Sequence, residues 1–301
     1  MGLFRKKEDR EQDTTLPVKY SNPVLRIKEG FKDDGAIPEP VVRLARYFRE
    51  RFSVGRGDHV VLKKGTQYVR ARVEVSTAED GAQAVARLNP KARELLNAQV
   101  GEEIQILPRE TLVLLIDTSG SMADFVSGVV KIEAAKNAVR EFIRSKFLMR
   151  QDDRIGIVSF GQQAGWIERP SVRYEHLENR ALTLAPSGAT AMYEGLRVSI
   201  DNLAPVAGAK RILLLTDGVP TTTGKGQIVN LAREAAEKNI VIDTVGVGSP
   251  FDFMGYDEQL LRRIAAITGG TFRRVLDIQQ LTGQFRELAE GKNYTYLLPG
   301  K

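Results

Sequence analysis

The sequence predicts an α/β protein in two parts: a mostly parallel sheet with helices on both faces, preceded by a small all-β barrel built from an internal duplication. Three observations carry this. From Thr111 onward, short apolar runs alternate with amphipathic stretches. Between about residues 39 and 109 the chain repeats itself at an offset of 44 residues. Two of the apolar runs, LVLLID and LLLTD, end on an aspartate, Asp117 and Asp217. A chain of 301 residues with 42% hydrophobic content is long enough to bury about two such domains.

Residues 1–38 are rich in charge, Pro and Gly with scattered apolar residues, and read as a flexible arm, within which VLRIKEGF (24–31) could dock as a short strand. The opening MGLFRKKEDREQ continues into charged residues instead of an apolar core, so it is not a secretory signal. Gly2 begins like a myristoylation signal, but Lys6 stands where Ser or Thr is required. No run approaches the roughly 18 apolar residues of a membrane helix. The expected setting is the cytoplasm, with no membrane partner.

In residues 39–109, RLARYFRERFSVGRGDHVVL matches RLNPKARELLNAQVGEEIQIL: Arg43 meets Arg87, Leu44 meets Leu88, Gly57 meets Gly101 and Asp58 meets Glu102. Each half reads as strand, short helix, Gly-acid turn, strand. This pattern resembles the double-psi β-barrel of the N-terminal domain of valosin-containing-type AAA+ ATPases. Its second half also looks like the strand unit of AbrB-type transcription regulators. Neither resemblance transfers binding residues to this chain.

Residues 110–291 form the next unit, with 292–301 as a tail. LVLLI, RIGIVSF, RILLLT and VIDTVGVG are short, Val- and Ile-rich and bounded by turn residues, so they read as buried strands. VVKIEAAKNAVREFIRSKFL, AMYEGLRVSIDNLA, IVNLAREAAEKN and EQLLRRIAAIT read as the helices between them. A strand near TFRRVLD and a helix near IQQLTGQFRELAE complete the set. Such alternation predicts a Rossmann-like sheet, whose ligands bind beyond the carboxyl ends of its strands.

Asp117, Ser119 and Ser121 of DTSGS leave one strand; Asp217 leaves another; Thr190 sits in the loop PSGATAM at the start of a helix. One carboxylate with short hydroxyls suits a hard divalent cation. Alone, either serine or Thr190 reads equally as a helix N-cap, and Asp217-Gly218 as a turn. Taken together, in this order, the five residues resemble the metal-ion-dependent adhesion site of the von Willebrand factor A domain family, across about residues 109–291. That resemblance implies Mg²⁺, with Mn²⁺ or Ca²⁺ as alternatives, held by the hydroxyls directly or through water and by the aspartates mainly through water. A carboxylate of a partner protein then completes the shell. Ala189 departs from the glycine that many members carry before the threonine. Met122 and Tyr193, beside the site, are candidates for the rim of the binding face.

Enzymatic readings fail on spacing or context. Ser119 stands where an aspartic-protease turn needs Gly, and GVPTTTGKG has the wrong glycine spacing for a phosphate loop. No serine sits in a GxSxG elbow. The chain has no cysteine and only two histidines, His59 and His176, which leaves little for thiolate, zinc or triad chemistry. The expectation is a non-enzymatic protein that binds an acidic partner through Mg²⁺, beside a MoxR-like or other AAA+ ATPase as the resemblance implies.

The alternative is a nucleic-acid-binding regulator. The net charge of +6 is mild, but residues 41–110 hold 13 basic and 9 acidic residues. Arg46, Arg49, Arg51 and Arg56, with Arg43, are the candidate phosphate contacts; a solvated charged face is the plainer reading. A metal-free scaffold is a third possibility. Trp166, after the second strand of the sheet, reads as edge packing.

Overall fold

A computed structural model of the chain describes residues 19–21, 24–52, 54–81, 83–149, 152–248, 255–290 and 295–297. Residues 1–18 of the arm expected over 1–38, and most of the tail expected over 292–301, lie outside these. β1 (Lys19–Ser21) pairs antiparallel with the last strand, Thr295–Leu297.

The barrel begins at Val24, not at residue 39. Its strands are β2 (Val24–Glu29), β3 (Val41–Leu44), β4 (His59–Lys64), β5 (Gln67–Val75), β6 (Val85–Leu88) and β7 (Glu103–Pro108), with α1 (Arg46–Arg51) and α2 (Pro90–Leu96). They close in the order β2-β6-β3-β5-β4-β7. Leu25 and Ile27 alternate inward from β2 and are fully buried, so this stretch of the expected arm is a core strand.

The duplication becomes a pseudo-twofold barrel. β2, a short 3-10 turn (Lys32–Ala36), β3, α1 and β4 correspond to β5, a second turn (Ala78–Asp80), β6, α2 and β7. β2 pairs parallel with β6, and β5 with β3. Arg43 and Arg87, matched in sequence, are register partners where β3 meets β6, beside the pseudo-axis. Gly57 and Gly101 both take positive φ and donate to the opposite half, to Val73 O and Ile27 O; a side chain there would meet the left-handed region that disfavours a Cβ.

The two arginines share one aromatic ring: Phe31 lies 4.5 Å from Arg43 and 5.5 Å from Arg87. Each also grips a buried aspartate. Arg43 bonds Asp34 at 2.6 and 2.8 Å; Arg87 bonds Asp80 at 2.7 and 3.0 Å, joined by Ser76 and Lys28. Burial opposes ionisation of Asp80, but the hydrogen bonds from Arg87, Ser76 and Lys28 outweigh it and hold the carboxyl at about 2. A depressed folded-state pKa means stability that is present above the unfolded value near 3.8 and is lost as pH falls toward 2. Asp80→Asn is therefore expected to cost about 2 kcal/mol at pH 7 and progressively less below pH 4. Urea midpoints of wild type and variant at the two pH extremes check this; equal gaps at both would refute it.

After β7 the chain passes directly into β8 (Glu110–Asp117), which is buried along its whole length. A turn (Gly120–Ala123) and a hairpin, β9 (Phe125–Val126) with β10 (Val129–Val130), lead into α3 (Lys131–Met149). There follow β11 (Arg154–Phe160), β12 (Ala164–Ser171), α4 (Tyr174–Ala181), α5 (Met192–Leu203), β13 (Ala209–Thr216), α6 (Lys225–Glu237), β14 (Ile240–Val247), α7 (Glu258–Thr268), β15 (Phe272–Val275) and α8 (Leu281–Ala289), before β16 (Thr295–Leu297). The sheet order is β12-β11-β8-β13-β14-β15, parallel except for β12 at one edge. Trp166 lies on β12, half-buried against the core, as its edge-packing reading expected.

Two apolar layers sandwich the sheet. One, centred on Leu114, Ile116, Phe142 and Phe285, lies under α3, α4 and α8; the other, centred on Leu115, Phe160, Leu196 and Ile264, lies under α5, α6 and α7. Both faces are covered, which is why these strands read as continuous apolar runs and not as alternating ones. No helix among the described residues is long and apolar enough to cross a membrane.

Candidate functional site

β11 and β13 flank β8 on opposite sides, so consecutive connections diverge there and leave a crevice at the carboxyl ends of β8 and β13. Asp117 is the last residue of β8 and Asp217 follows the last residue of β13. The loop carrying Thr190 is laced into the same edge. Gly120 N donates to Gly188 O at 2.9 Å, and Ser187 N to Thr118 O at 2.5 Å. Gly161 makes this lacing possible: a Cβ there would lie 2.4 Å from Ser187 O and 2.8 Å from Thr118 O, closer than two such atoms can approach.

All five oxygen-bearing residues singled out in the sequence meet here. Ser119 and Ser121 hydroxyls are 3.1 Å apart, and Ser121 Oγ donates to Asp217 Oδ1 at 2.8 Å. A Cβ built on Gly218 would sit 3.4 Å from Thr190 Oγ1 and 3.9 Å from Ser121 Oγ, so the threonine also faces the cluster. Asp117 and Asp217 are buried, as are Ser119 and Thr190. Asp117 accepts from Ser119 N at 2.7 Å and from the Thr216 hydroxyl.

Burial is the main influence on Asp117, and the nearby Asp217 charge adds to it. Together they push the carboxyl up to about 7, against the hydrogen bonds from Thr216 and Ser119. An all-oxygen cluster with a carboxylate short of positive charge is suited to a hard cation. No group of three or more His, Cys, Asp or Glu placed to hold a metal ion occurs among the described residues. Any cation here would be held by two carboxylates and three hydroxyls.

Three participants escaped the sequence reading. Thr216 orients Asp117; Thr221 Oγ1 accepts from Thr190 N at 2.9 Å and fixes that loop; Lys131 Nζ donates to Asp217 Oδ2 at 2.8 Å. Only Lys131 left a trace in the sequence, as a basic residue at the start of a helix, where acids are favoured.

The rim residues fare differently. Met122 is buried at 1% exposure in the core under α3, because the turn Gly120–Ala123 aims its side chain inward, so it is not part of a binding rim. Tyr193, near the start of α5, is half-buried against the other core with the Arg197 guanidinium 5.8 Å from its ring centre. Phe125, 71% exposed on the β9–β10 hairpin, and Val219, 39% exposed beyond Gly218, are the open apolar residues on the loops that follow Asp117 and Asp217. On the barrel, Arg46 pairs with Glu50 at 2.6 Å and Arg56 with Glu74 at 2.8 Å. Arg49 is half-buried and Arg51 ends α1.

Residues 112–219 match the von Willebrand factor type A domain family. A UPF0353 protein of Nocardia farcinica is 27% identical over 224 residues, covering 64% of this chain and 66% of that one. The uncharacterized protein YwmC of Bacillus subtilis is 28% identical over 180 residues, covering 54% and 74%. The chain thus spans just under two thirds of the length of the first of these relatives. Among solved structures, a von Willebrand factor type A protein from Catenulispora acidiphila superposes with a TM-score of 0.52 at 24% identity, over 62% of this chain and 43% of that one. The chain carries a von Willebrand factor type A domain fold, with a closed six-stranded β-barrel on its N-terminal side.

Proposed function

We propose that this domain is a cation-dependent protein-interaction module. Mg²⁺, or Mn²⁺ or Ca²⁺ in its place, would be held by Asp117, Ser119, Ser121, Thr190 and Asp217, and a partner's Asp or Glu would fill the open position. The observation that supports this best is the convergence of five side-chain oxygens from three loops at the switch point of the sheet. Mg²⁺ favours octahedral oxygen coordination and retains waters. Bound here, it would supply the positive charge that Asp117 lacks and leave an electrophilic face for an incoming carboxylate. The protein's own part is to orient the oxygens: Thr216 aims Asp117, and Gly161 lets the threonine loop close on the serine loop.

A cytoplasmic partner of the AAA+ class fits the expectation from the barrel. Two of the barrel arginines proposed for phosphate contact, Arg46 and Arg56, are spent on carboxylates, so no observation favours the nucleic-acid reading. The test is capture by the tagged full chain in Mg²⁺ and in excess EDTA, with Asp117→Ala as the control. Partners are expected to be lost in EDTA and with the variant. Retention of every partner in EDTA would sink the reading.

A further inference from the structure

Both oxygens of Asp217 are engaged. Ser121 Oγ reaches Oδ1 at 2.8 Å and Lys131 Nζ reaches Oδ2 at 2.8 Å. The carboxylate is fully covered and the lysine side chain is 12% exposed. Lys131 is the first residue of the 19-residue helix α3, where unpaired backbone N–H groups and the helix dipole disfavour a cation. Its backbone N donates to Asp124 O at 3.0 Å, which closes the hairpin after the serine loop and fixes where the side chain starts. An ammonium placed against the helix dipole and drawn under cover needs a compensating anion, and Asp217 is that anion.

We propose that Lys131 is a tethered cation that competes with a divalent ion for Asp217, and so sets the cation affinity of the site. This inference builds on the cation reading above. With the lysine in place, Asp217 already holds an ammonium, and an arriving divalent ion must either displace that ammonium or bind beside a like charge. Both routes weaken binding. The lysine also keeps Asp217 and the serine loop together before the ion arrives. The site is thereby preassembled yet only modestly retentive, which suits an interaction that is made and released.

The competition is testable by calorimetric titration of the full chain with MnCl₂ and MgCl₂, comparing wild type with Lys131→Met, Lys131→Gln and Lys131→Arg. The two neutral variants should bind Mn²⁺ about tenfold tighter or more, while Lys131→Arg, which keeps the charge, stays within about threefold of wild type. Binding by a neutral variant with none by wild type would support the competition in its strongest form. Equal or weaker binding by the neutral variants would overturn it and leave the cation reading standing, because a lysine that merely positions Asp217 gives that result. No binding in any form would remove both readings. Two neutral variants are used so that a folding failure in one leaves the other to decide.

Discussion

Lys146→Met is expected to lower the stability of the chain by about 3–5 kcal/mol, the range for removing one partner from a buried ionic cluster. Lys146 lies on α3 with no exposed surface. Its ammonium bonds Glu110 Oε2 at 2.7 Å and Asp153 Oδ2 at 3.0 Å. Nearby, the buried Arg211 lies 2.9 Å from Asp243 and 3.6 Å from Glu110, and it donates to Leu288 O at the end of α8. Three buried carboxylates thus face two buried cations, and deleting one cation leaves the excess negative charge without solvent to screen it.

The geometry magnifies this effect. Glu110 is the first residue of the central strand and directly follows the barrel, and its backbone N donates to Asp153 Oδ1 at 2.8 Å. Tyr174 Oη donates to Asp153 O at 2.7 Å, which ties α4 into the same group. The cluster therefore joins the entry of the sheet, α3, α4 and α8 at the end opposite the candidate site. Urea unfolding followed by the fluorescence of Trp166, the single tryptophan, reports on this domain. Arg46→Met on the exposed face of α1 should leave the midpoint unmoved. A Lys146→Met midpoint equally unmoved would refute the account.

That cluster is also a case of what the sequence does not reveal. Glu110, Lys146, Asp153, Arg211 and Asp243 come from five separate segments, and no one of them shows in the sequence which charge it meets. Their pairing depends on strand order, which periodicity does not encode. The oxygen cluster was legible because each member sits immediately beyond a strand or before a helix, and in a parallel sheet strand ends converge by construction. Val24–Glu29 was half-legible: only four of its residues alternate, and charged neighbours obscure them. The second half of the repeat holds the missing clue, since β5 precedes its own turn and strand and requires a counterpart. β12 was hidden by Arg169 and Pro170, which suit an edge and not a central strand. Met122 misled because adjacency in sequence says nothing about the direction of a side chain in a tight turn.

Asp117→Asn is expected to stabilise the cation-free protein at pH 8 while abolishing its response to divalent ions. The folded-state pKa of Asp117 is raised to about 7 from the ordinary aspartate value of 3.8, first by burial and then by Asp217. A raised carboxyl pKa means that the native state holds its proton where the unfolded chain has released it. Stability is then greatest below about pH 4, declines between pH 4 and pH 7, and stays at the lower level above. The shift corresponds to roughly 4 kcal/mol at pH 8, as an order of magnitude. Asparagine keeps the shape and can still accept from Ser119 N, while its amide can donate to the Thr216 hydroxyl, so the decline disappears without loss of packing. In EDTA, the variant should melt several degrees above wild type at pH 8 and close to it at pH 4. Added Mg²⁺ should raise the wild-type melting temperature and leave the variant where it is, because linkage stabilises only a state that binds. Parallel melting curves for the two proteins across that pH range would show that Asp117 carries no such penalty. The same carboxylate that would hold the cation would then cost the empty fold nothing, and the tension between stability and binding at this site would have to be sought elsewhere.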